Sequence, residues 1–211
     1  MLFNDFLLLI PQIMSVQLPA INAHLKMAPV ERAKTLNKDY YSNNNPRNSS
    51  VLILCYPKNQ QSCFILIQRN TYTGIHSAQV SFPGGKQEAN ETLEQTALRE
   101  AYEEVGILPG GVNMIMSLSS IYIPPSNFLV YPFLGVINES PEFIPSPDEV
   151  ERIIEVPLEK LLDDNSIINT TVMVSYRDNI MVPAFTFNNN IVWGATAMIL
   201  AEFKEIIKTV L

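Results

Sequence analysis

The chain has 211 residues, of which 47% are hydrophobic and 17% are charged, and its formal net charge is −7 at pH 7. This length is sufficient for one domain with a sizeable hydrophobic core. With an isoelectric point near 4.8, the chain lacks the clustered Lys and Arg that binding to a nucleic-acid backbone requires, so its composition argues against a nucleic-acid partner.

The N-terminus and the two cysteines bear on the cellular compartment. Residues 2–13 contain a short apolar run without a basic leader or a small-residue cleavage site, so no secretory signal is expected. No stretch approaches the length of a membrane span, and no membrane partner is expected. Cys55 and Cys63 lie within apolar, strand-like runs and are expected to be buried, reduced thiols. We therefore predict a cytoplasmic protein.

The first part of the chain predicts a helical extension followed by a linker. Apolar residues recur at mostly helical spacing over residues 4–13. A second helix is expected to begin at Pro29, because proline is favoured in the first helical turn. Residues 42–50 are rich in turn formers and poor in core residues, which indicates a linker. We expect residues 1–48 to form the extension and linker, and residues 49–211 to form the main domain.

The middle and the end of the chain predict strands followed by a closing helix. Two apolar runs, VLILCY at residues 51–56 and CFILIQ at residues 63–68, are expected to form a hairpin with a connection longer than two residues. Both strands should be buried on two faces. The other predicted elements are strands at 79–82, 114–123 and 128–137, a strand and short helix at 151–164, a hairpin turning at 177–179, a strand at 191–194 and a helix at 195–211. This order predicts an α/β (α+β) fold with a mixed β-sheet between α-helices.

The strongest functional signal is the stretch GGKQEANETLEQTALREAYEEVGI at residues 84–107. Its apolar residues recur every three to four positions, which predicts a helix from about residue 90 to residue 105 with one side against a core. Thr92 and Gln95 have the form of a capping box, and Gly106 has the form of a helix stop.

Three glutamates, Glu100, Glu103 and Glu104, project from one surface of this helix because they are three and four positions apart. Like charges this close repel one another unless a cation lies among the oxygens. Carboxylate oxygens are the ligands that a hard divalent ion such as Mg2+ or Mn2+ prefers. The alternative for any glutamate-rich helix is a solvated acidic face.

The spacing around these glutamates resembles the Nudix box: Gly85, five residues, Glu91, seven residues, and then REAYEEVGI at residues 99–107. The resemblance implies the Nudix fold, with a loop, a helix and a second loop that hold a divalent metal ion against a diphosphate. It also implies a catalytic set, of which the three glutamates are the metal ligands: Glu100, Glu103, Glu104, Arg99 and Glu91. In this set Arg99 and Glu91 form a supporting ion pair, which requires the chain before the helix to curl back.

Residues before the box narrow the resemblance. Arg69 and the run HSAQVSFPGG at residues 76–85 are similar to the second motif of Nudix coenzyme A diphosphatases. Segments that look like later parts of the same subfamily are PSNF at 125–128, VPL at 156–158 and WGATA at 193–197. The sequence departs from the subfamily at Gly74, where an arginine is common, and at Ala78, where a glycine is common. The substrate-binding residues that the resemblance implies are Arg69, His76, Gln79, Gly84 and Gly85.

The resemblance implies metal-dependent hydrolysis of coenzyme A or acyl-CoA to adenosine 3′,5′-bisphosphate and (acyl-)4′-phosphopantetheine, with Mg2+ or Mn2+ as cofactor. One alternative is another nucleoside diphosphate derivative, such as a dinucleotide, ADP-ribose or a nucleotide sugar. Another is a catalytically silent Nudix-fold binding module, which usually lacks a box glutamate. The general base is left open among Glu103, Glu104, Glu139 and Glu142.

Three further expectations concern the surroundings of the box. Arg69 and the loop before the box should hold the nucleotide half of the substrate, because they enter the box from the preceding strand. Trp193 is expected to pack in the core, and His24 is given no functional role. A homodimer is left open, since the apolar face of the N-terminal segment could pack against a partner or against its own domain.

Overall fold

A computed structural model describes residues 1–70, 79–174 and 177–211 of the chain. Its helices are α1 (Phe3–Ser15), α2 (Ile21–His24), α3 (Lys38–Tyr41), α4 (Leu93–Val105), α5 (Leu158–Leu162) and α6 (Gly194–Val210). Its strands are β1 (Arg47–Lys58), β2 (Gln61–Arg69), β3 (Val80–Ser81), β4 (Gly84–Lys86), β5 (Asn113–Ser117), β6 (Ile121–Ile123), β7 (Phe128–Val136), β8 (Val150–Pro157), β9 (Ile167–Val174), β10 (Arg177–Phe187) and β11 (Asn190–Val192).

The larger sheet is mixed. Its central path runs β3-β2-β1-β7-β5, with β4 also paired to β1, β6 to β7 and β8 to β2. Strands β1 and β7 are parallel, whereas β1 pairs with β2 and with β4 in antiparallel fashion. The smaller sheet has the order β11-β10-β9. This architecture confirms the predicted α+β fold with a mixed sheet.

Alternate residues of β1 and β2 enter two different cores, because successive side chains of a strand point to opposite faces. On one face Ile53 and Phe64 pack in the cluster that contains residues of α1 and α6. On the other face Leu52 and Ile65 pack with Ala101 of α4. Both strands are therefore buried on two faces, as predicted, and the sheet lies between α4 on one side and α1 with α6 on the other.

The connection between β1 and β2 is shorter than predicted. It consists of Asn59 and Gln60, whose φ values are 48° and 64°. Two consecutive residues with positive φ are typical of a type I′ turn, whose twist matches that of the flanking strands. The pairing of Lys58 with Gln61 therefore continues the register up to the turn. The sequence lacks the glycine that usually marks such a turn, which explains the wrong prediction.

The N-terminal segment packs against its own domain. Helix α1 carries Phe6 and Ile13, both with no exposed surface, into the main core. The helix expected from Pro29 is a 3-10 helix, Val30–Leu36. Strand β1 begins at Arg47, inside the predicted linker, because it pairs there with β7. The division of the chain into residues 1–48 and 49–211 stays a prediction.

Two later predictions need correction. The strand expected at residues 114–123 is two separate strands, β5 and β6, which pair with different parts of β7. The turn expected at 177–179 is misplaced, because β10 already begins at Arg177 and pairs that residue with Val174. The polar run RDN resembles a turn signal, but pairing with β9 overrides this local preference.

The structure also describes both cysteines and the lengths of the helices. Cys55 and Cys63 are buried and not joined in a disulfide, as expected. Among the described residues, no helix is both long enough and apolar enough to cross a membrane.

Candidate active site

The predicted helix is α4, and both of its ends are capped as predicted. The Thr92 hydroxyl accepts a hydrogen bond from the Gln95 backbone N–H at 3.1 Å, and the Gln95 side chain accepts one from the Thr92 N–H at 2.8 Å. This capping box places the first helical residue at Leu93, slightly later than expected. Gly106 ends the helix in the left-handed conformation, with φ 77°.

The chain before α4 curls back so that Glu91 meets Arg99. Arg99 donates two parallel hydrogen bonds to the Glu91 carboxylate, from Nε at 3.0 Å and from Nη2 at 2.9 Å. The same carboxylate accepts hydrogen bonds from the Thr96 hydroxyl and the Glu88 N–H. These donors, Arg99 first, lower the pKa of Glu91 to about 2. The expected ion pair is thus a fixed part of the loop before the helix.

Arg99 also holds two of the three predicted metal ligands. Its Nη1 donates to Glu100 at 3.0 Å and to Glu103 at 2.8 Å, while its Nη2 donates to the Lys86 carbonyl at 3.1 Å. Burial raises the pKa of Glu100, an effect that Arg99 opposes. Glu103 keeps 51% of its side chain exposed. One guanidinium therefore ties the acidic face of α4 to strand β4.

Glu104 is the third predicted ligand, and its side chain has no exposed surface. Its Oε2 accepts a hydrogen bond from the Gly84 N–H at 2.8 Å. Its Oε1 lies 3.1 Å from Arg69 Nη1, but within the described parts of the chain this oxygen has no hydrogen-bond partner. Burial raises the pKa of Glu104 to about 7, although Arg69 and the Gly84 N–H favour the charged form. A buried carboxylate oxygen without a donor can accept one from a ligand, or can bind a cation.

The two glycines of strand β4 allow the glutamates to approach the backbone. A Cβ on Gly85 would lie 2.3 Å from Glu100 Oε1, so a side chain there would displace the carboxylate. A Cβ on Gly84 would lie 2.3 Å from the carbonyl oxygen of Ser50 on β1. Glycine at both positions therefore fits the close packing of β4 between β1 and α4.

The structure adds a carboxylate that the sequence analysis missed, Glu149. Its charge raises the pKa of both Glu100 and Glu104. Glu149 is exposed and precedes β8, and its carbonyl accepts a hydrogen bond from the Asn70 N–H at 3.0 Å. Only the pairing of β8 with β2 brings Glu149 close to the box. This pairing spans about 80 residues of chain, and local sequence patterns carry no signal for it.

The residue types on α4 fit a hard divalent ion, since all three candidate ligands are carboxylates. In the described part of the chain, however, no three His, Cys, Asp or Glu side chains are already gathered around one point. The cause is local: Arg99 holds Glu100 and Glu103, while Gly84 and Arg69 hold Glu104. The carboxylate oxygens of the three glutamates are suitable donors for a divalent ion. Of the three side chains, Glu103 is the most exposed and so the most free to change its rotamer.

A cavity of about 570 Å3 adjoins strand β4. This volume lies within the range of roughly 300–1,000 Å3 that is usual for small-molecule sites. The predicted substrate-binding residues that line the cavity are Arg69, Gln79, Gly84 and Gly85. His76 lies outside the described residues. Glu100, Glu103 and Glu104 do not line the cavity, but Glu104 accepts a hydrogen bond from Gly84 and Glu100 lies against Gly85.

The other walls of the cavity come from distant parts of the chain. They are Pro125, Ser126 and Phe128 of the PSNF segment, the start of α6 with Trp193, and Pro29, Glu31, Arg32 and Thr35 of the N-terminal segment. Trp193 packs against the small buried cluster of Val172 and Val182, as the expectation of a core role requires, but it is only half-buried and also lines the cavity. The VPL segment lies in the core instead, since Val156 and Leu158 have no exposed surface.

A family model of the NUDIX domain matches residues 46–173, more than half of the chain. The chain belongs to the Nudix family. "Uncharacterized Nudix hydrolase NudL" of Yersinia pestis (strain Pestoides F) is 30% identical over 175 residues, which cover 81% of this Nudix chain and 84% of the relative. "Nudix hydrolase 15, mitochondrial" of Arabidopsis thaliana is 34% identical over 125 residues, or 57% of this chain.

The chain spans only part of some relatives: 44% of the Arabidopsis protein and 57% of "Nudix hydrolase 3" of Caenorhabditis elegans. Among solved structures, the Nudix hydrolase RenU of M. smegmatis has a TM-score of 0.55 at 14% identity, covering 79% of this chain and 88% of that one. This likeness shows the Nudix fold. Nudix hydrolases generally use divalent metal ions and act on small-molecule substrates.

Proposed function

We propose that this Nudix protein hydrolyses the diphosphate bond of coenzyme A or acyl-CoA, giving adenosine 3′,5′-bisphosphate and (acyl-)4′-phosphopantetheine. The observation that supports this most directly is the composition of the cavity. Arg69, the PSNF segment and the WGATA segment each resemble parts of coenzyme A diphosphatases, and all three contribute to one cavity beside the box glycines. Segments that shared only a packing role would not be expected to line a common cavity.

Glu100, Glu103 and Glu104 are our proposed ligands for Mg2+ or Mn2+. When bound, the ion supplies charge neutralisation on the diphosphate oxygens and a lowered pKa for a coordinated water. Arg99 would release Glu103, whose carboxylate is the most exposed of the three. Glu104 would stay fixed by the Gly84 N–H through one oxygen, while its second oxygen faces Arg69 at 3.1 Å. Glu91 retains Arg99 in place while the acidic face rearranges.

The substrate is bound, in this proposal, by groups at the end of the cavity beside β4. Arg69 ends β2 and is 26% exposed, so its guanidinium can contact both Glu104 and a phosphate oxygen. Gly84 and Gly85 leave the backbone open to close approach by the diphosphate. Gln79 lines the same end of the cavity and supplies an amide for a polar contact.

Proton removal from the attacking water is assigned, in this proposal, to Glu149. The sequence left Glu103, Glu104, Glu139 and Glu142 as alternatives. Glu149 is exposed, and the hydrogen bond from the Asn70 N–H to its carbonyl at 3.0 Å places it next to the end of β2 that carries Arg69. Its charge also contributes to raising the pKa of Glu100 and Glu104. Glu104, by contrast, already accepts a hydrogen bond from Gly84 and contacts Arg69. A carboxylate that is free to reach water suits the role of general base.

A substrate panel tests the proposed function. The full chain is incubated with coenzyme A, acetyl-CoA, NADH, ADP-ribose and a diadenosine polyphosphate, each with Mg2+ or Mn2+, and products are identified by mass spectrometry. We expect the highest kcat/KM for coenzyme A or acetyl-CoA. Equal activity on all five would favour a different nucleoside diphosphate substrate, and no hydrolysis of any would favour the silent binding module.

A further inference from the structure

The lining of the cavity contains more cations than anions, whereas the whole chain is acidic. Among the described residues that line it, the cations are Arg32, Arg69 and Lys86, and the anion is Glu31. Three cations and one anion line the cavity, although the chain has a net charge of −7, and the buried Glu104 lies 3.1 Å from Arg69 and offsets part of this positive charge. A cationic cavity in an acidic protein concentrates an anionic ligand. Arg69 and Lys86 lie beside the box, but Arg32 does not.

Arg32 lies at the side of the cavity away from β4, several strands further along the larger sheet. Strand β4 pairs with β1, β1 pairs with β7, and β7 pairs with β6. Three strand spacings therefore separate β4 from β6, which is about 14 Å. Arg32 Nη2 donates to the carbonyl oxygen of Tyr122 on β6 at 2.8 Å. The cavity thus has a guanidinium at each end, Arg69 near the diphosphate position and Arg32 remote from it.

The position of Arg32 is fixed by its own segment. Its Nη1 donates to the Thr35 hydroxyl at 3.0 Å, and the Thr35 hydroxyl donates to the Arg32 carbonyl at 2.9 Å. The preceding residues are anchored in the core, where Met27 is 1% exposed. A guanidinium whose direction is set by a hydroxyl and a backbone carbonyl is already oriented for a ligand.

A buried carboxylate joins this segment to the helix that forms the opposite wall. Glu202 of α6 has no exposed surface, and its Oε1 accepts a hydrogen bond from the Ala20 N–H at 3.0 Å. Its Oε2 lies 3.2 Å from His24 Nε2 and accepts a hydrogen bond from the Ser119 N–H at 3.0 Å. His24, to which the sequence assigned no role, thus takes part in the contacts that join the N-terminal segment to α6.

The rest of the wall is largely apolar and includes three aromatic residues: Phe128, Trp193 and the buried Phe82. Aromatic side chains provide surfaces on which a nucleobase can stack. A ligand that suits this arrangement has a diphosphate at one end, a nucleoside in the middle and a second, separate phosphate.

We propose that Arg32 binds the 3′-phosphate of a nucleotide whose 5′-diphosphate lies at the box, so that the protein selects 3′-phosphorylated substrates. The inference rests on the proposed function, because that function places the diphosphate beside Gly84 and Gly85. Glu31 lies in the same wall and weakens the attraction. The planar guanidinium of Arg32 has the donor geometry that suits a phosphate group.

The test compares coenzyme A with 3′-dephospho-CoA as substrates of the wild type, Arg32→Ala and Arg32→Gln. The glutamine variant can still donate a hydrogen bond to the Tyr122 carbonyl, which guards against loss of the fold. We expect each variant to lose about tenfold to a hundredfold in kcat/KM for coenzyme A and little for 3′-dephospho-CoA. Lys34→Ala, an exposed cation on the same 3-10 helix, is the matched control and should leave both values unchanged.

A binding measurement keeps the inference separate from the proposed function. Adenosine 3′,5′-bisphosphate and AMP carry no diphosphate, so their affinities are measured by calorimetry without turnover. We expect wild type to bind the bisphosphate more tightly, and Arg32→Ala to remove that difference. If the wild type hydrolyses neither substrate, the proposed function fails while the binding comparison still decides the role of Arg32. Equal losses on both substrates, or equal binding of both nucleotides by the wild type, would overturn the inference.

Discussion

At the scale of single residues, the candidate site combines carboxylates in very different environments. Glu104 is fully buried and its pKa is raised to about 7, whereas Arg99 and its neighbours lower the pKa of Glu91 to about 2. Both residues were expected from the spacing of the box. The sequence could not give their protonation behaviour, because that of Glu104 depends on burial and on partners from β2 and β4, and that of Glu91 on how the loop folds back onto Arg99.

Replacing Glu104 tests its proposed role as a ligand. Glu104→Gln keeps the shape of the side chain and an acceptor for the Gly84 N–H, but removes one negative charge. We expect kcat with Mg2+ to fall by about a hundredfold or more, with little change in the melting temperature. Steady-state kinetics and a thermal melt on the same preparation measure both. Near-wild-type turnover in a folded variant would show that the metal assignment is wrong.

The proposed general base, Glu149, can be tested against Glu142 as a matched control. Both are exposed glutamates in the segment before β8, but only Glu149 affects the pKa of both Glu100 and Glu104 in the structure. We expect Glu149→Gln to lower kcat by about 10²- to 10⁴-fold, and Glu142→Gln to leave it nearly unchanged. Single-turnover rates at saturating substrate measure the difference. If Glu142→Gln lowered kcat more than Glu149→Gln, the general base would instead be Glu142, one of the alternatives from the sequence.

The ion pair of Glu91 predicts a pH-dependent contribution to stability. Its pKa is about 2 in the folded protein against an ordinary value of 4.5. The stabilisation is therefore present above pH 4.5 and is lost as the pH falls toward 2. We expect Glu91→Gln to lower the free energy of unfolding by about 1–3 kcal/mol at pH 7, with a smaller drop in turnover than for Glu104→Gln. Urea denaturation should show a smaller difference in the free energy of unfolding between wild type and Glu91→Gln at pH 3 than at pH 7. The same difference at both pH values would contradict the ion-pair account.

At the scale of elements, periodicity and capping residues predicted α4, and the closing amphipathic pattern predicted α6. The apolar runs predicted β1 and β2 as buried strands. Sequence could not give the contacts that join elements far apart in the chain, such as β4 with β1 or β8 with β2. The cavity walls depend on those contacts, so the sequence identified Arg69 and the box but missed Glu149 and the N-terminal wall.

The close packing of β4 against α4 gives a prediction at this scale. Gly85→Ala would place a Cβ 2.3 Å from Glu100 Oε1, and the flexible carboxylate would have to move. We expect the fold to be retained and kcat/KM to fall about tenfold to a hundredfold, because a displacement of about 1 Å in a site can cost that much. Gly110→Ala is the control, since a Cβ there meets no atom within 4 Å. Equal kinetics for the two variants would mean that the position of Glu100 does not matter.

At the scale of the whole molecule, the two ends of the chain complete the site. The N-terminal segment and α6 meet at Glu202, and both line the cavity beside β4. The apolar face of α1 packs against its own domain through Phe6 and Ile13. The homodimer and the cytoplasmic location remain predictions, and light scattering in solution would measure the first.

The most direct test of the proposed activity is product identification after incubating the full chain with coenzyme A and Mg2+ or Mn2+. We predict adenosine 3′,5′-bisphosphate and 4′-phosphopantetheine in equal amounts, with no product when the ion is chelated and almost none for Glu104→Gln. The proposed activity would be contradicted if the wild-type protein left coenzyme A intact after prolonged incubation. It would also be contradicted if hydrolysis occurred at the thioester or the 3′-phosphate instead of the diphosphate.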